Sequence, residues 1–370
     1  MLSTGEMWDR FLAKFKARFS RDKIFMDKDW QHIPIAAGRR FSLFLSKGDV
    51  WVTGSNANGE LGIGADYLFT FKPIKLEVES RIVSVATGDF HTLLLDENGD
   101  VFTCGRTPNQ NQQSIYYLEK MQGIPLMVAV FGGVQRAFLI DAEYNLWVMG
   151  DNCYSTLAMY DTYKPVPVQI AGPANIKQVS SGPYHTLFLD RDGTVWSCGE
   201  PHRGLLGNGV WGYSSKDVHK ISSLPPISMV SAGPSHSLFL DVQGHVWVCG
   251  SVACHDKTLL SPITVPEVSG IVFIMAIKSG GSYFIDEMGN VLLDDGMLKP
   301  NQLPNLQNIT FICASEHVLF LDSDGMVWGN GENSDGQLGL GHCTSVSRAE
   351  KITLIPPVGR SGKNTKSARN

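Results

Sequence analysis

The chain repeats one phrase at intervals of about 50 residues, a spacing typical of solenoids and propellers. The phrase "GPYHTLFLDRDGTVWSCG" at 182–199 returns as "GPSHSLFLDVQGHVWVCG" at 233–250. Related copies end at Gly54, Gly105, Gly150 and Gly331, and a weaker copy, "YFIDEMGNVLLDDG", lies at 283–296. The sequence therefore contains seven units, each of which can bury its faces only against its neighbours.

Each copy predicts a β-hairpin followed by an outer strand. An apolar run leads into D-x-x-G and then into V-W-x-x-G, and a short loop ending in glycine favours a turn between antiparallel strands. Two copies continue as "NANGELGIG" (56–64) and "NSDGQLGLG" (333–341). Proline-containing apolar runs such as "YKPVPVQI" (163–170) then predict the outer strand. We expect an all-β protein.

Charge and cysteine content restrict the class of function. Residues 24–359 carry 21 basic and 33 acidic side chains, and such an acidic body disfavours nucleic acid as a partner. The seven cysteines are an odd number, and the longest apolar run, "IVFIMAI" (271–277), is too short to span a bilayer. These features indicate an intracellular protein, cytoplasmic or nuclear, or located in a host cytosol if its source is a bacterium or a virus.

The full pattern G-x-x-H-x-x-x-L-x-x-x-G-x-V-W-x-x-G-x-N-x-x-G-Q-L-G-x-G resembles the repeat of the regulator of chromosome condensation family. The resemblance covers roughly residues 31–358 and implies a seven-bladed β-propeller. We expect a helical extension at 1–30, the propeller at 31–359 and a basic, flexible tail at 360–370. The closing segment "AEKITLIPPV" is expected to act as a spare outer strand that completes the first blade and latches the ring.

Two residue types recur at fixed positions, and we interpret both as structural. Tryptophans precede the closing glycine by three residues and are expected to pack between blades: Trp51, Trp147, Trp196, Trp247 and Trp328. Histidines begin the second strand and are expected to hydrogen-bond backbone groups: His91, His185, His236 and His317. Catalysis by the histidines and light sensing by the tryptophans are the weaker alternatives.

The sequence shows no catalytic, metal or cofactor motif with a supporting context. "GNGVWG" (207–212) matches a dinucleotide fingerprint, but no helix follows that could hold a pyrophosphate. Cys249, Cys254 and His255 lack a second closely spaced pair of zinc ligands. We therefore predict a protein that is not an enzyme, with guanine-nucleotide exchange as the one activity left open.

The residues between the repeated glycine and histidine differ from copy to copy. In a propeller they share one rim, where arginine and aromatic side chains are typical of protein-binding hot spots. The alternative is an ordinary solvated loop rim. The candidates are Arg39, Arg40, Asp89, Phe90, Gln135, Tyr184, Ser235 and Glu316.

The family resemblance also implies a second hypothesis for this rim. The founding member promotes nucleotide exchange on the small GTPase Ran through acidic loop residues and a wedge hairpin. Glu316 and Asp89 are the nearest acidic matches by position, and no unit is long enough to contain an obvious wedge. We therefore predict a protein-interaction platform, with exchange on a Ran-like or other small GTPase as the alternative and a structural subunit of a large assembly as a third.

The first 23 residues predict an amphipathic helix. Ser3 and Glu6 form a capping box, and an apolar stripe with helical spacing follows: Met7, Trp8, Phe11, Leu12, Phe15 and Phe19. Six basic and three acidic side chains occupy this segment. It could contact its own propeller, another protein or an anionic membrane surface.

Overall fold

The computed structural model describes residues 33–106, 114–211, 215–252 and 258–358. The N-terminal helix and the basic C-terminal tail expected from the sequence lie outside these described residues and stay predictions.

The described chain forms seven four-stranded antiparallel sheets, each built from four consecutive strands. Their bounds are Ile35–Ala37, Phe41–Ser46, Asp49–Ser55 and Phe69–Lys75 (β1–β4, blade 1); Ile82–Thr87, His91–Asp96, Val101–Gly105 and Ile115–Lys120 (β5–β8, blade 2); Met127–Gly133, Arg136–Asp141, Leu146–Asp151 and Tyr163–Gln169 (β9–β12, blade 3); Ile176–Ser181, His185–Asp190, Val195–Gly199 and Ser215–Lys220 (β13–β16, blade 4); Ile227–Ala232, His236–Asp241, Val246–Gly250 and Leu259–Thr264 (β17–β20, blade 5); Ile271–Ala276, Ser282–Asp286, Val291–Asp294 and Asn301–Gln302 (β21–β24, blade 6); and Ile309–Ala314, His317–Asp322, Val327–Gly331 and Val346–Ile352 (β25–β28, blade 7). A single-turn 3₁₀ helix, His202–Gly204, follows β15.

The first strand of every blade contacts the first strands of both neighbouring blades, so β1, β5, β9, β13, β17, β21 and β25 form a closed circle. The first strands therefore surround the axis, and the fourth strands form the outer wall. This arrangement confirms the predicted seven-bladed β-propeller.

An aspartate organises the turn between the second and third strands in six of the seven blades. In blade 5, one Asp241 carboxylate oxygen accepts the backbone N–H of Gln243 at 2.8 Å and of His245 at 2.9 Å. Gly244 closes the turn with a φ of 86°, a value that L-residues rarely adopt. The D-x-x-G motif thus satisfies its own backbone donors, which explains why it predicts the hairpin.

The second oxygen of the same aspartate accepts the indole N–H of the repeated tryptophan. The distance from Trp247 Nε1 to Asp241 Oδ2 is 3.1 Å, and blades 3, 4 and 7 show the same bond. In blade 1, Ser46 replaces the aspartate and bonds the Pro357 carbonyl instead, so the buried Trp51 Nε1 has no partner. The tryptophans are only partly buried, and each packs against a cluster that includes residues of the preceding blade.

The most buried aromatic position lies in the second strand, three residues after the histidine position. All seven residues there are at most 1% exposed: Phe44, Leu94, Leu139, Phe188, Phe239, Phe284 and Phe320. The recurring "LFL" in the sequence indicated this position, but the packing role was assigned from the sequence to the tryptophans. The centre of the sheet is therefore phenylalanine in five blades and leucine in blades 2 and 3, and the tryptophans cover its margin.

The N-x-x-G-x-L-G signature at 56–62 and 333–339 forms loops that join one blade to the next. In blade 1, Leu61 is fully buried between blades 1 and 2, and the Gly64 N–H donates to the Tyr116 carbonyl of β8 at 2.9 Å. Asn56 shapes this loop by accepting the Leu61 N–H and donating to the carbonyls of Gly64 and Tyr67. The signature thus specifies a docking loop.

The ring closes through this same type of contact, and the predicted strand latch is wrong. The strand Val346–Ile352 pairs within blade 7, while blade 1 already has its own outer strand, Phe69–Lys75. At the junction, Leu338 of blade 7 is fully buried, and the Gly341 N–H donates to the Phe71 carbonyl at 2.9 Å. Blade 7 therefore docks on blade 1 as blade 1 docks on blade 2. Across the described ranges, no helix has the length and apolar character needed to cross a membrane.

Candidate partner-binding rim

The variable residues between the first and second strands lie at one end of the ring. In blade 1, Phe41 at the start of β2 pairs with Gly54 near the end of β3, so the loop 38–40 and the long loop 56–68 share that end. The same pairing recurs in blades 2, 3, 4, 5 and 7. We call this end the rim. Of the eight candidate residues, Arg40 and Gln135 are exposed and the other six are partly buried.

One sector of the rim is a network of opposite charges. Arg39 Nε donates to Glu316 Oε1 at 2.8 Å, which joins blade 1 to blade 7. Arg40 lies 3.6 Å from the same carboxylate and 3.5 Å from Asp335. The hydrogen bond to Glu316 raises the pKa of Arg39 above its ordinary value. This sector is therefore charged but internally paired.

The network extends across the mouth of the ring. Lys278 in blade 6 lies 3.4 Å from Asp89 in blade 2, and these blades flank blades 7 and 1. The Arg39 guanidinium also lies 5.6 Å from the centre of the Phe90 ring. The two acidic residues that matched the exchange hypothesis, Glu316 and Asp89, are thus each held by a cation of this chain.

The sector at blades 3 and 4 is aromatic. The rings of Tyr154 and Tyr184 pack edge to face with centroids 5.1 Å apart, and the Arg203 guanidinium lies 6.0 Å from the Tyr184 ring. Tyr154 is 40% exposed. The predicted residue Tyr184 is therefore the centre of a small aromatic cluster, whereas Gln135 and Ser235 lie apart from both groups of contacts.

Three of the repeated histidines bond a hydroxyl group of the next blade rather than the backbone. The Nε2 atoms of His185, His236 and His317 lie 2.6, 2.9 and 2.7 Å from the Oγ atoms of Ser237, Ser282 and Ser42. The Ser42 hydroxyl donates its only proton to the Gln337 carbonyl, so the histidine Nε2 must be the protonated nitrogen. Each histidine therefore links two blades and does not face solvent.

Burial keeps these rings neutral. It lowers the pKa of His185 and His317 to about 3 and that of His236 to about 4. A neutral, buried imidazole bonded to a serine resembles part of a nucleophilic pair, but the serine is itself buried and hydrogen-bonded to a loop carbonyl in blades 1 and 5. A substrate could not reach either atom.

His91 is the exception among the four. Its blade 3 neighbour at the hydroxyl position is Ala137, and neither ring nitrogen has a hydrogen-bond partner of good geometry. Burial lowers the pKa of His91 to about 4, and the backbone of Arg136 offsets this only in part. The mismatch is visible in the sequence when each histidine is paired with the residue that follows the histidine position in the next blade.

Arg136, which replaces the histidine in blade 3, also bridges two blades. Its side chain is 2% exposed, donates to the Gly182 carbonyl at 3.0 Å and lies 3.7 Å from the Asp151 carboxylate. Burial lowers its pKa, and the Asp151 charge opposes that change. Sequence reasoning treated this position as a lost histidine and missed that the arginine retains the bridging role.

The described residues include no group of three or more histidine, cysteine or acidic side chains placed to hold a metal ion. Cys254 and His255 lie outside the described ranges. Burial raises the pKa of the Cys198 and Cys249 thiols to about 12, and the pKa of Cys104 is raised as well. These thiols are unreactive packing groups.

The chain matches descriptions of the regulator of chromosome condensation (RCC1) repeat at residues 47–95, 82–113 and 176–204. It is 27% identical over 333 residues to the human E3 ubiquitin-protein ligase HERC2, covering 83% of this chain and 6% of the ligase. It is 25% identical to Xenopus laevis Regulator of chromosome condensation, covering 59% of this chain and 58% of that protein.

Two further similarities concern yeast proteins. The Saccharomyces cerevisiae Guanine nucleotide exchange factor SRM1 is 27% identical, covering 59% of this chain and 52% of that protein. The crystal structure of Prp20p from the same yeast, described with its binding properties to Gsp1p and histones, superimposes with a TM-score of 0.72 at 18% identity, covering 94% of this chain and 91% of that chain. This chain thus spans 6–58% of the length of these curated relatives, and the structural likeness concerns the fold.

Proposed function

Because this chain is a seven-bladed propeller of the RCC1 repeat family, we propose that it is a protein-interaction platform that binds its partner through the rim. The supporting observation is the contrast between the two kinds of position. Buried residue types recur from blade to blade, whereas the pairs of rim residues at 39–40, 89–90, 134–135, 183–184, 234–235 and 315–316 all differ. A surface of this kind can recognise a partner without disturbing the ring.

The rim contacts refine which residues make the surface. The aromatic cluster of Tyr154 and Tyr184 offers partly exposed rings beside Arg203, the composition found at hot spots. Arg40 is the most exposed cation of the charged sector, with 53% of its side chain accessible. We assign affinity to the aromatic cluster, and we assign orientation and association rate to the charged sector.

The test is a capture experiment with matched variants. Wild type, Tyr154→Ala with Tyr184→Ala, and Arg40→Glu are immobilised, and partners from the native cell are quantified by mass spectrometry. The control is Arg348→Glu, which changes an exposed residue on the outer wall of blade 7. A partner lost from both rim variants and kept by the control supports the proposal, whereas a partner profile unchanged by the rim variants overturns it.

Guanine-nucleotide exchange is the second candidate, favoured by the similarity to the exchange factor SRM1. The pairing of Glu316 and Asp89 with cations of this chain means that a GTPase would have to break those pairs. The assay loads a panel of small GTPases with a fluorescent nucleotide and measures its release. Acceleration by wild type that is lost in Asp89→Ala supports exchange, and no acceleration across the panel excludes it.

A further inference from the structure

Four exposed apolar residues lie where the rim loop 56–68 meets the outer strands of blades 1 and 2, apart from the charged and aromatic rim sectors described above. Tyr67, Leu68, Phe69 and Tyr117 are 53%, 69%, 47% and 65% exposed. Exposed apolar side chains are ordinary when scattered, but a contiguous group marks a contact surface. We call these four residues the flank patch.

The docking loop of blade 1 holds the patch together. Asn56 donates from one amide nitrogen to the carbonyls of Gly64 and Tyr67, both at 2.8 Å, and its backbone N–H donates to the Leu68 carbonyl at 2.7 Å. Ile63, beside Gly64, forms a β-bridge with Tyr117 of blade 2. The loop therefore brings the backbone of Tyr67 and Leu68 close to Gly64, and the Tyr117 ring lies against Gly64.

The repeat does not require these side chains. Counted from the residue paired with the closing glycine, Tyr117 corresponds to Lys72, Ser261 and Arg348 in blades 1, 5 and 7. An aromatic residue at this exposed position is therefore particular to blade 2. Within the propeller its ring packs on Gly64 of the docking loop, yet 65% of the residue stays exposed.

We propose that the flank patch is covered by residues 1–23 of this same chain. The sequence predicts that segment to be an amphipathic helix with an aromatic stripe, and the segment lies outside the described residues. Its charges complement the propeller, since it carries six basic and three acidic side chains against 21 basic and 33 acidic in residues 24–359.

The start of the described chain lies within reach of the patch. Ile33 is tied to blade 2, because its N–H donates to Ser84 Oγ at 3.0 Å and its carbonyl accepts the Val85 N–H at 3.0 Å. Three strand spacings, about 15 Å, separate the first strand of blade 2 from its outer strand. Residues 24–32 span up to about 30 Å when extended, which leaves about 15 Å to climb the wall. A helix of residues 1–23 is about 34 Å long, enough to cross the patch.

Hydrogen–deuterium exchange on the full chain tests the proposal. We expect the backbone amides of 64–71 and 115–118 to exchange at least about fivefold faster when residues 1–23 are deleted, because removing the cover exposes this edge to solvent. Leu68→Asp in the full chain should produce the same increase, and combining it with the deletion should add nothing. Val166→Asp, which changes an exposed residue on the outer strand of blade 3, is the matched control and should leave the patch unchanged.

Three outcomes would overturn the proposal. Exchange at the patch could be identical with and without residues 1–23. Protection could depend on protein concentration and vanish on dilution, which would assign the patch to a second copy of the chain. Protection could require vesicles containing phosphatidylserine, which would make residues 1–23 a membrane anchor. None of these readouts depends on partner capture at the rim, so this inference and the proposed function can fail separately.

Discussion

The mismatch between His91 and Ala137 yields the sharpest prediction. In blades 5, 6 and 1, a serine at this position forms a hydrogen bond with the histidine of the preceding blade. Ala137→Ser supplies the same hydroxyl to His91, whose two buried ring nitrogens lack a hydrogen-bond partner of good geometry. A neutral buried hydrogen bond contributes about 1 kcal/mol, so the free energy of unfolding should rise by about 0.5–1.5 kcal/mol.

Urea denaturation followed by tryptophan fluorescence measures this change, and a double-mutant cycle assigns it. Phenylalanine occupies the histidine position in blade 1 and is buried there, so His91→Phe places a ring that the fold already accommodates and removes the hydrogen-bonding nitrogens. Ala137→Ser should stabilise the wild type but give no gain in the His91→Phe background. Equal effects in the two backgrounds, or a loss in the wild type, would refute the assignment of the blade-bridging hydrogen bond.

Three further predictions concern the turn, the ring closure and pH. Asp241→Ala should lower the free energy of unfolding by about 2–3 kcal/mol and shift the emission of Trp247, because two backbone donors and an indole N–H lose their acceptor; circular dichroism melts and fluorescence spectra measure both. Leu338→Ala, at the junction of blades 7 and 1, should lower the free energy of unfolding by about 2–5 kcal/mol, as much as Leu61→Ala at the junction of blades 1 and 2. A markedly smaller decrease for Leu338→Ala, measured by urea denaturation, would contradict closure of the ring by the docking loop. The four buried histidines have folded-state pKa values of about 3–4, below the ordinary 6.5, so the unfolded chain binds more protons than the folded protein as the pH falls below 6.5. The free energy of unfolding should therefore decline from pH 6.5 toward pH 4, by up to about 1.4 kcal/mol per pH unit for each histidine. Urea midpoints that stay constant over this pH window would contradict this prediction.

The local parts of the fold were predictable because their causes are local. The D-x-x-G turn satisfies its own backbone within five residues, so the sequence alone identifies the hairpin. Repetition then predicts the number of blades, and alternation of strand direction predicts that Arg39, Tyr184 and the other variable residues share one rim. These steps need no knowledge of how the blades meet.

The contacts between blades were not predictable in the same way. The sequence pattern placed the start of the propeller inside a blade and so favoured a terminal latch, but blade 1 has its own outer strand, the mostly exposed Phe69–Lys75. The ion pair between Arg39 and Glu316 joins residues 277 positions apart, and no periodic signal encodes it. Which rim charges remain available to a partner depends on such pairs.

The match between sequence unit and sheet has a consequence for how the chain could be cut and rejoined. No strand is exchanged between the first and last blades, so a break in an outer connection, such as the one between Gln169 and Ile176, leaves three whole sheets on one side and four on the other. The two pieces would meet through two interfaces, between blades 3 and 4 and between blades 7 and 1, each lined by a buried leucine. This propeller is therefore suited to split-protein reporters, because its two fragments can reassemble without exchanging a strand.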